Sequence, residues 1–278
     1  MSDHTPMHPD DARRVLLLAL ADDELVTGHR HSHWTGVAPS LEEDLAFSTI
    51  AQDEINHADV WYQLLVSTGE SVPEDLRSEV DALGLGREPD AYRHAVLCER
   101  PPTDFAFSLA RHLLYDHADA VRLDALVDSS DEDIAAVATK LQHEERYHLE
   151  HADRWLALVA GADDEAHAEL TGGLEAAFPD ALWLFEPLPG EDVLVAERIL
   201  PAFSVALLER WAGIVVPLLD AHGFGHTVPA LLRADPVAVP AELFADPGGR
   251  HGVHTPDFTD DVWPEMTHLH RAFPGASW

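Results

Sequence analysis

The chain of 278 residues has a single cysteine, Cys98, and a single lysine, Lys140, beside sixteen arginines. One thiol excludes an intramolecular disulfide and any multi-thiolate zinc or iron–sulfur site. Basic residues are scarce: 17 against 51 acidic ones leave a net charge of −34, with no basic stripe. A polyanion of this kind repels nucleic acid, which is therefore not an expected partner. Such an excess self-repels unless salt screens it, so the charge reads as adaptation to high salt and not as a functional acidic patch. Also absent is any apolar run near the roughly 20 residues a membrane span needs. The opening MSDHTPMHPDDARR lacks a basic region followed by an apolar stretch, as a secretory signal would have. The expectation is a soluble, cytoplasmic protein with neither membrane nor nucleic-acid partner.

What is present is helical periodicity. Residues 11–34 carry apolar positions at helix spacing after an Asp cap, and TGVAPS breaks them. A second long helix starts at Ser40, with Glu43 three residues on in a capping-box pattern. Residues 69–90, rich in Gly, Pro and acid, read as a connection. A third helix begins near Asp104 and a fourth ends at Gly161. Two helix pairs joined by a long crossover describe an all-α, ferritin-like four-helix bundle. The expected organisation is one ferritin-like domain over 1–278, with the bundle at 11–161 and a helical extension at 162–278. In the extension, 190–223 reads as one helix and the stretch from Thr255 as a last one.

The second helix contains DEINH and the fourth EERYH. Glu54/His57 and Glu145/His148 thus each put a carboxylate and an imidazole one turn apart on one face. Two such pairs, plus one carboxylate from each remaining helix, make the ligand set of di-iron carboxylate proteins. Glu24 and Asp116 supply the two carboxylates: Glu54 follows Glu24 by 30 residues and Glu145 follows Asp116 by 29. Oxygen and imidazole donors suit iron or manganese. Asp53 and Glu144, each preceding a ligand Glu, are candidate hydrogen-bond acceptors for the imidazole on the opposite helix. Asp119, on the face of Asp116, is a rival ligand or a supporting acid, as is His117. His29, His31 and His33 alternate along a helix, so their rings should not face one way, and they read as surface groups. Tyr115, Tyr147, Trp34, Trp61 and Trp155 read as core aromatics, and Arg146 and Arg154 as salt-bridge partners.

WTGVAPSLEEDLAFSTIAQDE resembles the start of the second helix in the phenylacetyl-CoA epoxidase family, and RYHLEHADRWLALVAG is similar to its fourth helix. GRHGVHTPDFTDDVWPEMTHLHRAFPGASW resembles the end of its PaaC-type subunit, with Gly252, His254, Thr255, Met266, Leu269, Arg271, Pro274, Gly275 and Trp278 in place. The resemblance implies a subunit of an oxygenase complex that epoxidises an aryl-CoA with electrons from a flavin and iron–sulfur reductase. It also implies that the PaaC-type chain is a structural partner of a metal-binding PaaA-type subunit. This chain keeps Glu24, Glu54, His57, Asp116, Glu145 and His148, in an order similar to that of the catalytic subunit. Two readings therefore stand: an oxygenase component whose catalytic residues are these six, paired with a PaaA-type subunit or a second copy of itself, or a non-catalytic scaffold.

Overall fold

A computed structural model describes residues 7–67, 75–237, 239, 240, 242–273 and 276. Four long helices form the bundle: α1 (Pro9–Ser32), α2 (Leu41–Val66), α5 (Phe105–Leu126) and α6 (Glu132–Ala160). Between the pairs run α3 (Leu76–Leu85) and the single turn α4 (Val96–Glu99). The remainder holds α7 (Asp164–Ala181), α8 (Glu191–Ala196), α9 (Ser204–Ala221) and α10 (Trp263–Ala272), with no strand among the described residues. The protein is all-α, a ferritin-like bundle carrying additional C-terminal helices.

Local chemistry sets the helix ends. Ser40 Oγ accepts from Glu43 N, and Asp104 Oδ1 accepts from Phe107 N at 2.7 Å, each satisfying a donor that the first turn leaves open. Glu43 does not reach back to complete a capping box; its carboxylate binds His151 on α6. The cap of α1 is His8, not an aspartate, because Pro9 takes the first helical position and Asp10 and Asp11 fall in the first turn. Gly161 closes α6.

α1 packs along α2 and α5 along α6, while α2 meets α6 across the bundle. α7 and α9 lie against α5, where Trp211 Nε1 donates to Leu114 O at 3.2 Å. The expected connection at 69–90 contains α3, capped by Asp75, whose carboxylate accepts from Ser78 N. The expected helix at 190–223 is two. Pro201 cannot continue the ladder, Arg198 takes a positive φ of 59°, and the freed carbonyls of Glu197, Arg198 and Ile199 accept from Ser130 and Ser129 in the α5–α6 turn. Of the C-terminal motif, Pro274, Gly275 and Trp278 lie outside the described residues. No helix among the described residues is long and apolar enough to cross a membrane.

Candidate metal centre

Glu24 on α1, Glu54 and His57 on α2 and Glu145 on α6 are all buried, and one donor atom from each lies within 4.8 Å of every other. Their helices meet closely because of Gly28, one turn beyond Glu24. A Cβ there would stand 2.9 Å from Glu54 Cβ and 3.0 Å from Ala51 O, so only glycine lets the α1 backbone rest against the ligand-bearing turn of α2. His148, also buried, lies one turn beyond Glu145, its Nδ1 3.0 Å from Glu145 Oε2 and 3.6 Å from Glu54 Oε1. His57 Nδ1 is 2.8 Å from Glu145 Oε1 and 4.0 Å from Glu24 Oε2.

The outward nitrogens find acids on the facing helix. His57 Nε2 is hydrogen-bonded to Glu144 Oε2 at 3.1 Å, and His148 Nε2 faces Asp53 Oδ2 at 3.6 Å, beyond hydrogen-bond reach. Each imidazole thus turns Nε2 toward an acid and directs Nδ1 inward among the carboxylates.

These inward atoms lack aligned hydrogen bonds among the described residues. The set comprises Glu24 Oε2, both carboxylate oxygens of Glu54, Glu145 Oε1, and Nδ1 of His57 and of His148; Asp116, whose oxygens also lack a partner, is not in the four-residue group that converges. Burying so many acceptors without donors is costly, and a cation offsets that cost. The donor set, carboxylate oxygen with imidazole nitrogen, fits iron or manganese. Without a cation, protons take its place. Burial, then the Glu24 carboxylate, drives Glu54 well above the usual carboxylate range, and burial also raises Glu24. Burial opposes charge on His57, but Glu145 and Glu24 outweigh it and push the imidazole up to about 9. His148 goes up to about 11, where Asp53 and Glu145 outweigh burial in the same way. Glu145, between two imidazolium groups that outweigh its burial, drops to about 2.

Asp116 is buried on α5, and its Oδ2 lies 2.8 Å from His112 Nδ1. His112 Nε2 contacts His151 Nδ1 at 3.1 Å, and His151 Nε2 contacts Glu43 Oε2 at 3.1 Å. A row of titratable groups thus runs from Asp116 to Glu43, all of them on facing helices of the bundle. Asp119 turns to Arg122, 2.8 Å away, and His117 turns outward to Asp153 at 3.0 Å. Trp61 and Tyr115 are fully buried, whereas Trp34 and Trp155 are half-buried and Tyr147 is exposed. Arg154 pairs with Glu150 on the surface.

Two features contradict the surface reading of HRHSH. His31 is fully buried, in edge contact with Phe47 and His112, because its position on α1 faces the bundle. His29 and His33, four residues apart, do share a face and converge on Glu265. Sequence reasoning also missed Asp22 and Asp23. Arg87 holds Asp22, and Arg250 clamps Asp23 at 2.8 and 2.7 Å. Asp23 also binds Arg122 and accepts from Ala95 N, so three consecutive buried acids on α1 divide into two structural groups and one member of the cluster.

Comparison with known proteins agrees with this architecture. The family described as phenylacetic acid catabolic protein matches over residues 1–278. The chain is 28% identical over 261 residues, 94% of its own length and 97% of the relative's, to the C subunit of 1,2-phenylacetyl-CoA epoxidase from Escherichia coli (strain K12). With the match spanning every residue, the chain belongs to the phenylacetic acid catabolic protein family.

Proposed function

We propose that this chain is a ferritin-like, cytoplasmic subunit of a multicomponent oxygenase in phenylacetate catabolism, with a carboxylate-bridged di-iron centre. Glu24, Glu54, His57, Asp116, Glu145 and His148 hold the metal, with manganese as the alternative ion. The observation that carries this reading is the convergence of buried, unpartnered carboxylate and imidazole atoms from facing helices. When bound, two irons reduced through a separate flavin and iron–sulfur reductase supply the electrons that oxygen activation consumes.

The chain's own residues orient and deprotonate this site. Glu144 holds His57 with Nδ1 inward, and Asp53 faces His148 across the bundle. Burial, then the charge on His148, lowers His112 to about 3; burial, then His112, lowers His151 to about 4. Both rings are therefore neutral near pH 7, so each can accept a proton on one nitrogen while releasing one from the other. The hydrogen-bonded row His112, His151 and Glu43, with Asp116 Oδ2 2.8 Å from His112 Nδ1, gives protons a path along the bundle as far as Glu43. Partners in this reading are a PaaA-type subunit or a second copy, the reductase, and an aryl-CoA or similar aromatic acid. The acidic excess is read as adaptation to salt.

Metal content per chain, for wild type and for Glu54→Ala with His148→Ala, tests the proposal. About two irons in the wild type and none in a folded double variant is the expected result. A second reading, a non-catalytic scaffold, is favoured by the likeness to the C subunit of the Escherichia coli epoxidase over 97% of that relative's length. A wild-type chain that takes up no iron under reducing, iron-replete conditions would replace the first reading with the second.

A further inference from the structure

We infer that His29, His33 and Glu265 form a separate, mononuclear site for a divalent transition-metal cation of the zinc type, one that fastens the C-terminal helix to the end of α1. His29 lies in the last turn of α1 and His33 is its C-cap residue, so the two rings stack up one face, with centroids 5.0 Å apart and edge to face. Glu265, from the first turn of α10, brings one carboxylate oxygen to both. Its Oε2 is 3.4 Å from His29 Nε2 and 3.3 Å from His33 Nε2.

Those distances decide between two explanations. They exceed the usual 2.7–3.2 Å of an N–H···O hydrogen bond, and neither Nε2 has a hydrogen-bond partner among the described residues although both atoms are buried. A tetrahedral ion with bonds of about 2.0–2.1 Å holds its ligand atoms about 3.3 Å apart, which is the separation found. Two imidazoles and a carboxylate are a three-ligand set that leaves a fourth position for water. Glu265 is more than half exposed, so an ion reaches the site directly from solvent.

The site is independent of the central cluster, since His29 lies about one and a half turns beyond Glu24 on α1. It also has a structural consequence. Met266, beside Glu265, and His29 both line a cavity of about 260 Å³ between α1, α2, α3 and α10, with Leu25 and Tyr62 on its inner side. An ion at His29, His33 and Glu265 therefore fixes one wall of that cavity by fixing α10.

Titration of the metal-free full chain with Co²⁺, followed by visible absorption and by melting temperature, tests the assignment. The expected result is a four-coordinate cobalt spectrum and a rise in melting temperature that both persist in Glu54→Ala with His148→Ala, where the central cluster has lost two ligands, and that are both lost when His29→Ala and His33→Ala are added to that background. Glu265→Gln should weaken binding by about tenfold or more, since the charged ligand is gone. His29, His33 and Glu265 are half-buried or exposed, and a far-ultraviolet circular dichroism spectrum unchanged from wild type shows that the fold survives in each variant. Identical cobalt stoichiometry, spectrum and melting shift with and without the two added histidine substitutions in that background would overturn the site. So would a cobalt spectrum lost in Glu54→Ala with His148→Ala alone.

Discussion

The His57 imidazole is held between two consecutive acids of the facing helix: Nε2 bonds Glu144 Oε2 at 3.1 Å and Nδ1 lies 2.8 Å from Glu145 Oε1. Adjacent residues on a helix point about 100° apart, so a ring gripped by both sits between two faces of α6 and cannot swing without losing one. Glu145 is buried, but the Glu144 side chain is 44% exposed. One acid therefore faces the centre while its neighbour anchors the ring from the rim.

Glu144→Ala should weaken metal binding by about 10–100-fold, the usual cost of removing the group that orients a ligating imidazole. It should leave the melting temperature of the metal-free chain nearly unchanged, because the carboxylate is at the surface. Asp53→Ala should cost less, since Asp53 stands 3.6 Å from His148 Nε2. Competition with a calibrated chelator measures both. Equal losses for the two variants, or none for Glu144→Ala, would contradict the role assigned to that bond.

Arg250 ties the extension to the bundle. Its guanidinium holds Asp23 with two hydrogen bonds and donates to the carbonyls of Ala19, Arg93 and Leu184, with Arg250 and Asp23 both buried. Burial works against the Asp23 charge, but Arg250 and Arg122 outweigh it and hold the carboxyl down at about 2. Removing one partner strands the other, so Arg250→Ala should destabilise the fold by about 3–5 kcal/mol in chemical denaturation. Adding Asp23→Asn should cost less than the two single effects together. A loss under about 1 kcal/mol for Arg250→Ala would show that Arg122 alone suffices for Asp23.

Much of this was legible because it is local. Ser40, Asp104 and Gly161 act within one turn of the ends they mark, and the two Glu-x-x-His pairs are visible at i and i+3. The partners of Asp22 and Asp23 are not local: Arg250 lies 227 positions beyond Asp23, and nothing near ADDEL distinguishes a buried acid from a solvated one. α7 was hidden for another reason. Gly172 and Gly173 loosen its pattern, yet a Cβ on Gly173 would meet Ala106 O at 2.7 Å, so that glycine is where α7 crosses the start of α5. In HRHSH, His29 and His33 form an i,i+4 pair whose third member, Glu265, comes from the far end of the chain. The C-terminal motif was readable as a pattern but not as a contact. His254 Nδ1 and Thr255 N both meet the buried Glu99, at 3.2 and 2.9 Å.

That last cluster, with the other buried histidines, sets the pH dependence of the metal-free chain. His94 is stacked on His254, 4.1 Å between centroids, and its Nε2 contacts Glu99 Oε2 at 2.9 Å. Burial, then His254, lowers His94 to about 4. The native state therefore binds fewer protons than the unfolded chain between pH 4 and pH 6.5, and stability present above 6.5 is lost as pH falls through that window. His151, at about 4, and His112, at about 3, act with the same sign. His57 and His148 act oppositely: raised to about 9 and about 11, they stabilise fully below pH 6.5 and lose that contribution as pH rises. Glu24 and Glu54, raised by burial, act with the same sign as His57 and His148, so in chelated protein the acid-side contribution of His94 is read as the difference between wild type and a His94 variant. His94→Asn should make the loss on the acid side shallower without moving the alkaline one. Melting curves recorded from about pH 4 to about pH 10 read this directly, and a His94→Asn curve parallel to that of wild type from about pH 7 down to about pH 5 in the metal-free chain would show that His94 is not held neutral by burial.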